Sequence, residues 1–222
     1  MAKIANNVMC AATAAGIERI IVVNSVYAAL AEVGSPIARA SGREKLAAEL
    51  IMRKSASKSV TMVFLRPPVV YGHGMTGAFA MLTWAILKGI PLPLGRAQQE
   101  RVYISQRNLI DLISTLVRAP GAVWQSASGR AYMPTDGIPV PTTTMIRALA
   151  DVFNVRVRLL PVPLPPLHLI ASMTGKTEMV SGAIDKLSIN DNAALAADFG
   201  WQPVEQFPHS LACLTSIGTS VQ

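Results

Sequence analysis

Cysteine and aromatic residues are scarce in this chain of 222 residues, and their scarcity argues against several classes of protein. The two cysteines, Cys10 and Cys213, stand in apolar contexts near opposite ends of the sequence. This favours two buried thiols in a reducing compartment over a disulfide framework or a metal site. Aromatic residues make up 5% of the chain and do not cluster, which argues against a surface that stacks on nucleic-acid bases.

Charged residues make up only 15% of the chain and hydrophobic residues 51%, so a membrane protein is the first alternative to test. A transmembrane helix needs about 20 consecutive apolar residues. The apolar stretch at 77–87 reaches roughly half that length, and four prolines interrupt the stretch at 159–167. The N-terminus lacks the continuous apolar segment of a signal peptide. We therefore expect a cytoplasmic protein with no membrane partner.

The net charge of +7 comes from basic residues that are scattered along the chain. No run of them reaches the density of a nucleic-acid-binding tail, so we expect no nucleic-acid partner. An anionic small ligand that carries phosphates fits the excess of positive charge at least as well. For most of these residues, however, an ordinary solvated surface is the simpler explanation.

Short apolar runs alternate with helical patterns in the first third of the chain. Residues 20–23 and 60–65 have the pattern of strands buried on both faces, and residues 3–15 and 42–54 have the pattern of helices. This alternation predicts βαβ units with a parallel sheet. Downstream, the sequence predicts helices at 76–88, 108–117, 143–153, 167–173 and 192–199 and strands at 130–133 and 156–160.

Two glycine-containing segments resemble nucleotide-binding motifs. Residues 72–77 match the Gly-x-Gly-x-x-Gly pattern of dinucleotide sites. We interpret them as a plain glycine-rich loop, because Pro67 and Pro68 should end the preceding strand too early and no acidic residue follows at the expected distance. Residues 175–177 resemble the end of a phosphate loop, but Ile170 stands where its first glycine should be, which excludes that reading.

Ser25 and Lys45 are the first candidates for a chemical role. Ser25 ends a predicted buried strand, and ligands of parallel sheets bind at the carboxyl ends of the strands. Lys45 lies on the next predicted helix, four residues after Ser41 and therefore on the same face. A lysine there could hold a ribose or lower the pKa of a neighbouring group. On spacing alone, the simpler reading is that Ser25 merely ends a strand and that Lys45 lies on a solvated helix face.

Several short motifs, taken together with their order along the chain, favour a chemical role for Ser25 and Lys45 over this simpler reading. They are IIVVNSV at 20–26, GREKLAAE at 42–49 and LRPPVVYGHG at 65–74, and the match continues at 89–95, 101–104, 108–111 and 198–203. From about residue 7 onward, the chain resembles the extended short-chain dehydrogenase/reductases, in particular the NAD-dependent nucleotide-sugar epimerases and dehydratases. Each motif alone is weak, and their combination is specific.

The resemblance implies an α/β fold made of the carboxyl half of a Rossmann-like parallel sheet and a small α+β substrate-binding lobe. The sheet region would comprise residues 1–72 with contributions from about 104–153. The lobe would comprise residues 73–103 and 154–222. The implied chemistry is the NAD-linked oxidation and re-reduction of a sugar bound to a nucleotide, with NAD or NADP as cofactor.

The resemblance also implies roles for individual residues. Ser25, Lys45 and the residue at position 41 would be catalytic, and Ser25 would orient the substrate. Arg101 would pair with the diphosphate of the nucleotide sugar, a contact that arginine makes well. In full, the implied cofactor contacts are Lys45, Arg66, Pro67 and Tyr71, and the implied substrate contacts are Ser25, Phe79 and Arg101.

The sequence departs from the family pattern at two points. Ser41 occupies the place of the catalytic tyrosine. A serine hydroxyl is a much weaker acid than a phenol, and its oxygen lies nearer the backbone. Tyr27, on the predicted loop after Ser25, is not expected to replace it. The chain also begins within the family's fourth helix, without the first strand, its glycine-rich turn and the first hundred or so residues.

The second departure has consequences for binding and assembly. We expect weak binding of NAD or NADP and an open sheet edge that a second copy or a partner chain would cover. Three interpretations remain open. The chain is an epimerase-type enzyme whose missing half is supplied by another chain or was lost when the gene was delimited, a non-catalytic protein that binds nucleotide sugars or partners, or a remnant without a stable function.

Overall fold

Helices and strands alternate along the computed structural model, which describes residues 1–57, 59–173, 180 and 185–214. Two short 3-10 helices cover Pro36–Ala38 and His209–Leu214. The α-helices are α1 (Ala2–Ala14), α2 (Val26–Glu32), α3 (Arg39–Ser55), α4 (Gly77–Leu87), α5 (Gln106–Arg118), α6 (Gly121–Ala127), α7 (Thr142–Val152), α8 (Leu164–Met173) and α9 (Asn192–Phe199). The strands are β1 (Arg19–Val23), β2 (Thr61–Leu65), β3 (Val69–Tyr71), β4 (Glu100–Arg101), β5 (Tyr103–Ser105), β6 (Ala131–Tyr132) and β7 (Val140–Pro141).

The chain divides into two units. The first comprises Met1–Pro68, Leu109–Thr135 and Asn190–Pro203, and the second comprises Val69–Asn108, Asp136–Ile189 and Val204–Gln222. This division differs from the sequence-based one at four places. Residues 69–72 and about 104–108 lie in the second unit, and two longer stretches also change unit. Residues 136–153 lie in the second unit because α7 packs with α4 and β7, and residues 190–203 lie in the first because α9 packs with α6 and β6.

The first unit contains a parallel sheet in the order β1-β2-β6. Four of the five residues of β2 are buried, as predicted, because helices cover both of its faces. Met62 and Phe64 face α1 and α3, whereas Val63 and Leu65 face α5 and α6, as the alternation of a strand requires. The prediction that β1 is buried on both faces is wrong, since β1 is an edge of this sheet and is only half-buried.

The second unit contains two small sheets, a parallel pair of β3 and β5 and an antiparallel pair of β4 and β7. Its core includes Tyr71, Phe79 and Tyr103, and the rings of Tyr71 and Phe79 stack with their centroids 5.8 Å apart. The predicted strand at 156–160 does not form. That segment makes an isolated bridge between Leu159 and Leu92, and its backbone hydrogen bonds to residues 92–95 do not extend into a ladder.

Three local predictions also need correction. Cys10 is exposed on α1, so the expectation of a buried thiol is wrong there. Tyr27 lies in the first turn of α2 and not on a loop. A strand, β3, continues after the two prolines and ends immediately before Gly72, so the premise used to dismiss the glycine motif at 72–77 does not hold. The segment 175–177 lies outside the described residues.

Among the described residues, none of the helices has the length and the apolar character that a membrane span requires.

Candidate active site

Ser25 lies where β1 ends and α2 begins. Its backbone is extended, and its hydroxyl oxygen accepts a hydrogen bond from the backbone N–H of Tyr27 at 3.3 Å. This is an N-cap, which accounts for the start of a helix that the sequence pattern did not reveal. The hydroxyl proton of Ser25 is not used by this bond. Ser25 can therefore still donate a hydrogen bond, and its contact with a ligand at the carboxyl end of the sheet stays a prediction.

Ser41 and Lys45 lie one turn apart on α3, and both are half-buried. The side-chain amide of Asn24 donates to the backbone carbonyl of Lys45 at 3.3 Å, which brings this turn to the end of β1. Asn24 directly precedes Ser25 in the sequence. The structure therefore places the turn that carries Ser41 and Lys45 beside the strand end that carries Ser25.

Gly42 allows α2 and α3 to approach closely. A Cβ atom at this position would lie 2.6 Å from the carbonyl oxygen of Tyr27 and 3.2 Å from its Cβ. Because the first of these atoms is backbone, no side chain at position 42 fits without a shift of one helix. Glycine is thus required next to Ser41 for the observed packing of the two helices.

Arg66, predicted to contact the cofactor, is buried at the end of β2 and paired with two carboxylates. Its Nε and Nη2 atoms donate to Glu49 at 3.0 Å and 2.7 Å, and its Nη1 atom donates to Glu32 at 2.6 Å. The guanidinium is therefore held inside the first unit. The carbonyl of Pro67 accepts from the backbone N–H of Val26 at 2.9 Å, so this predicted contact residue also joins β2 to the start of α2.

Glu49 is the centre of this buried network. Burial by itself opposes ionisation, but the hydrogen bonds and charge of Arg66, together with Arg53 and Asn24, outweigh it and hold the pKa of Glu49 below its usual value. Sequence reasoning assigned Glu49 no role. A signal was available, since an acidic residue four positions after Lys45 falls on the inward face of α3.

A second buried network surrounds Tyr71 in the second unit. The Tyr71 hydroxyl donates to Asp136 and is also paired with the hydroxyl of Ser210. Asp136 further accepts from the backbone N–H of Ser105 at 2.8 Å and from the side-chain amide of Asn108 at 2.7 Å. Burial raises the pKa of Asp136, although these three donors act in the opposite direction. Nothing in the local pattern around Asp136 could have indicated this network, because its partners come from distant segments.

Arg101 is a buried cation with few polar partners in the described part of the chain. It is 2% exposed, and its guanidinium donates to the backbone carbonyl of Asp185. Its Nε atom is buried and has no hydrogen-bond partner among the described residues. No described carboxylate forms a salt bridge with it, in contrast to Arg66. An arginine in this condition has bonding capacity left for an anion.

An apolar cavity of about 330 Å³ lies in the same unit as Arg101. Tyr103, two residues along the chain from Arg101, forms part of its wall, and so does Phe79, which was predicted to contact substrate. Burial raises the pKa of Tyr103, while Thr142 and the nearby Arg101 partly counteract it. The remaining wall residues include Val69, Ala78, Met81, Leu82, Trp84, Ile90, Leu92, Pro93, Leu94, Thr142 and Leu167.

Comparison with known proteins agrees with the resemblance seen in the motifs. Over 146 residues the chain is 34% identical to the UDP-glucose 4-epimerase of Vibrio cholerae, a stretch that covers 65% of this chain and 43% of that protein. Its structure is similar to the UDP-glucose 4-epimerase of Thermotoga maritima solved with UDP-glucose, with a TM-score of 0.67 at 15% identity, over 96% of this chain and 67% of that one. The fold is that of the nucleotide-sugar epimerases.

A further similar structure is the enzyme WbmG of Bordetella bronchiseptica, solved with NAD and UDP. The TM-score is 0.63 at 18% identity, over 95% of this chain and 63% of that one. No family model matches the chain. The chain spans less than half the length of the curated relative it matches and about two thirds of the solved structures.

The described residues fit only part of an NAD site. Ser25 and Lys45 lie at the carboxyl edge of the sheet, where the nicotinamide end of such a cofactor binds in doubly wound folds. None of the three strands described in this sheet leads through a glycine-rich turn into a helix, which is the arrangement that holds a pyrophosphate. The glycines at 72–77 follow β3 in the second unit, where a Cβ at Gly72 would lie 2.5 Å from the Cβ of Gln106. That glycine is required by packing.

Proposed function

We propose that the second unit binds a nucleotide sugar, and that the chain is part of an NAD-dependent nucleotide-sugar epimerase or dehydratase. The observation that carries this proposal is the buried guanidinium of Arg101, without a carboxylate partner among the described residues, in a unit that also contains an apolar cavity. An anionic group and a flat, weakly polar ring are the two parts of a nucleoside diphosphate that these features would bind.

Arg101 supports the anionic half of this ligand. Burying a charge is costly unless the charge is paired, and the carbonyl of Asp185 supplies only a partial negative charge. A diphosphate would supply full negative charge and acceptors for the N–H groups that remain. A guanidinium suits this better than an ammonium group because its donors are fixed in one plane.

The cavity supports the other half of the ligand. Its volume of about 330 Å³ is within the usual range of small-molecule sites, about 300–1,000 Å³. Its wall is apolar apart from the hydroxyl groups of Tyr103 and Thr142. Aromatic and aliphatic walls of this kind suit the faces of a pyrimidine base, and a hydroxyl at the wall can orient the base through its edge.

Taken by itself, the first unit carries residues that match the family's catalytic side chains at the carboxyl end of its sheet. In the roles that the resemblance implies, Ser25 would orient a sugar and Lys45 would hold the ribose of the cofactor. Ser41 provides no phenol for the proton transfer that accompanies hydride transfer, and no pyrophosphate cradle is present among the described strands. We therefore propose that hydride chemistry by these residues is impaired or depends on further parts of the fold.

An open edge supports the idea that more of the fold is supplied from elsewhere. β1 pairs with β2 on one side, and no described strand lies along its other side. Val23, at the end of β1, is 50% exposed, and α1 leaves Ile4 at 67% and Val8 at 46% exposed. Unprotected edges and apolar helix faces of this kind favour pairing with another strand. The strand would come from a second copy, from a partner chain or from a further segment of the same protein.

Calorimetric titration of the full chain with UDP-glucose, and separately with NAD, tests the proposal. We expect UDP-glucose to bind and NAD to bind no better than millimolar. Arg101→Met should weaken the binding of UDP-glucose by roughly tenfold or more, since a hydrogen bond to a charged group is worth about 1.5–3 kcal/mol. The matched control is Arg107→Met, which removes an exposed arginine paired with Glu205. Equal affinity in both variants, or a micromolar dissociation constant for NAD, would contradict the proposal.

The alternative is a protein that binds nucleotide sugars without catalysis, and Ser41 is the observation that favours it. Restoring the phenol with Ser41→Tyr should leave epimerase turnover undetectable if the pyrophosphate cradle is also required. Measurable turnover by this variant alone would show that further strands are not needed. Mass determination in the presence and absence of UDP-glucose would then report whether a second copy covers the edge of β1.

A further inference from the structure

We propose that Asn24 and Glu49 are positioning residues for Lys45, which they hold by fixing two consecutive turns of α3 to the carboxyl ends of β1 and β2. The inference rests on the proposed function only in the role given to Lys45. It assigns a purpose to a buried carboxylate and a side-chain amide that lie within the motifs at 42–49 and 20–26 but were given no role there.

Glu49 is joined to three elements. It is 1% exposed, and its oxygens accept from Asn24 at the end of β1 at 2.8 Å and from Arg66 at the end of β2 at 3.0 Å and 2.7 Å. Arg53, one turn further along α3, also donates to it at 3.1 Å and 2.7 Å. A carboxylate that accepts from this many donors has little freedom to move.

Asn24 connects this centre to Lys45. The same Nδ2 atom that donates to Glu49 also lies 3.3 Å from the backbone carbonyl of Lys45. One amide group therefore touches two turns of α3 at the strand end next to Ser25. Sliding or rotating α3 along the sheet would break both contacts, and with them the spacing between Lys45 and the residues that follow β1.

The chemistry of the network distinguishes amide from carboxylate at position 24. Both partners of the Asn24 side chain are acceptors, so only a donor satisfies them. Asn24→Asp keeps the shape but places a carboxylate against Glu49 and a carbonyl. Asn24→Ala removes the donor without adding charge. We expect both variants to change the surroundings of Lys45, and the aspartate variant to do so more strongly.

The readout is the rate at which individual lysine amines react with an acylating reagent, measured by mass spectrometry on the full chain without nucleotides. Lys54 on the same helix and Lys88 at the end of α4 are exposed and serve as internal standards. We expect the rate for Lys45 relative to these two to change several-fold in Asn24→Ala and Asn24→Asp. A general loosening of α3 would change Lys54 as well, and this would overturn the positioning role.

Two further variants complete the test. Glu32→Gln, the matched control, removes the half-exposed partner of Arg66 that contacts neither Asn24 nor Glu49, and it should leave the relative rate for Lys45 unchanged. Replacing Glu49 and Arg66 together by methionine removes both buried charges, which is tolerated better than removing one, and it should change that rate. Unchanged Lys45 reactivity in the folded Asn24 variants and in this pair refutes the proposal. Because no nucleotide is present, that outcome leaves the nucleotide-sugar proposal intact.

Discussion

Each of the two units contains a buried carboxylate, and the two carboxylates are held in opposite ways. Glu49 in the first unit accepts from two guanidinium groups and one amide. Asp136 in the second unit accepts from neutral donors among the described residues, namely a phenol, an amide and a backbone N–H. They are 1% and 2% exposed, so burial is the same and only the partners differ.

The pKa shifts follow from this difference. Burial raises the pKa of both carboxyl groups, and at Glu49 the hydrogen bonds from the charged groups of Arg66 and Arg53, with the positive charge of Arg66, reverse the effect. Hydrogen bonds without charge do not reverse it at Asp136, where the carboxylate of Glu205 acts with burial. The first network therefore depends on charge balance and the second on the geometry of its donors.

The largest test of this contrast removes one charge from the first network. Glu49→Gln leaves the guanidinium of Arg66 buried with an amide in place of its main carboxylate. We expect the free energy of unfolding to fall by about 3–5 kcal/mol, measured by urea denaturation. Glu32→Gln, which removes a half-exposed partner of the same guanidinium, should cost about 1 kcal/mol or less. Equal costs would show that burial does not set the strength of these pairs.

The equivalent change in the second network should lower the free energy of unfolding by a smaller amount. Asp136→Asn keeps an acceptor for the amides of Ser105 and Asn108, and the hydroxyl of Tyr71 can accept from the new N–H group. We therefore expect a loss of about 1–3 kcal/mol in the same measurement. The exposed Asp151→Asn on α7 is the control and should be nearly neutral. A loss as large as that of Glu49→Gln would remove the distinction between the two networks.

The dependence of stability on pH sharpens the comparison. The lowered pKa of Glu49 means that its contribution is fully present above the usual glutamate value of 4.5 and is lost as the pH falls through the lower folded value. The raised pKa of Asp136 means that its contribution is present below the usual aspartate value of 3.8 and is lost as the pH rises through the higher folded value. Unfolding free energies measured from pH 2 to 8 should become less acid-sensitive in Glu49→Gln and less base-sensitive in Asp136→Asn.

The smallest effect is expected from Tyr71→Phe. The ring packing on Phe79 is kept, and the hydroxyl contacts with Asp136 and Ser210 are lost. We expect a loss of about 0.5–1.5 kcal/mol. Combined with Asp136→Asn in a double-mutant cycle, the two changes should be non-additive, since they remove the same bond. Strict additivity would mean that this hydrogen bond does not contribute.

The sequence predicted the regular elements better than their surroundings. β2, α3 and α4 were located by apolar periodicity, which depends on local spacing alone. The half-exposure of β1 was not predictable, because an apolar run looks the same in a central and an edge strand. α2 was missed because the cap by Ser25 is followed by apolar residues without a clear helical period.

The candidate site was predicted in part for the same reason. The carboxyl-end rule brought Ser25 into consideration, and in the structure its neighbour Asn24 contacts the turn of α3 that carries Lys45. The roles given to these residues remain predictions. The networks around Glu49 and Asp136 join residues up to 139 positions apart, and such contacts leave no local pattern.

The position of Trp84 has a practical consequence. It lines the cavity and is 57% exposed, whereas Trp124 and Trp201, the only other tryptophans of the chain, are buried in the core of the first unit. The indole emission of the second unit therefore comes from a single residue at the cavity wall. A molecule entering the cavity would quench or shift that emission, while a quencher dissolved in the solvent would reach the other two indoles far more slowly. The fluorescence of Trp84 would therefore report whether the cavity is occupied.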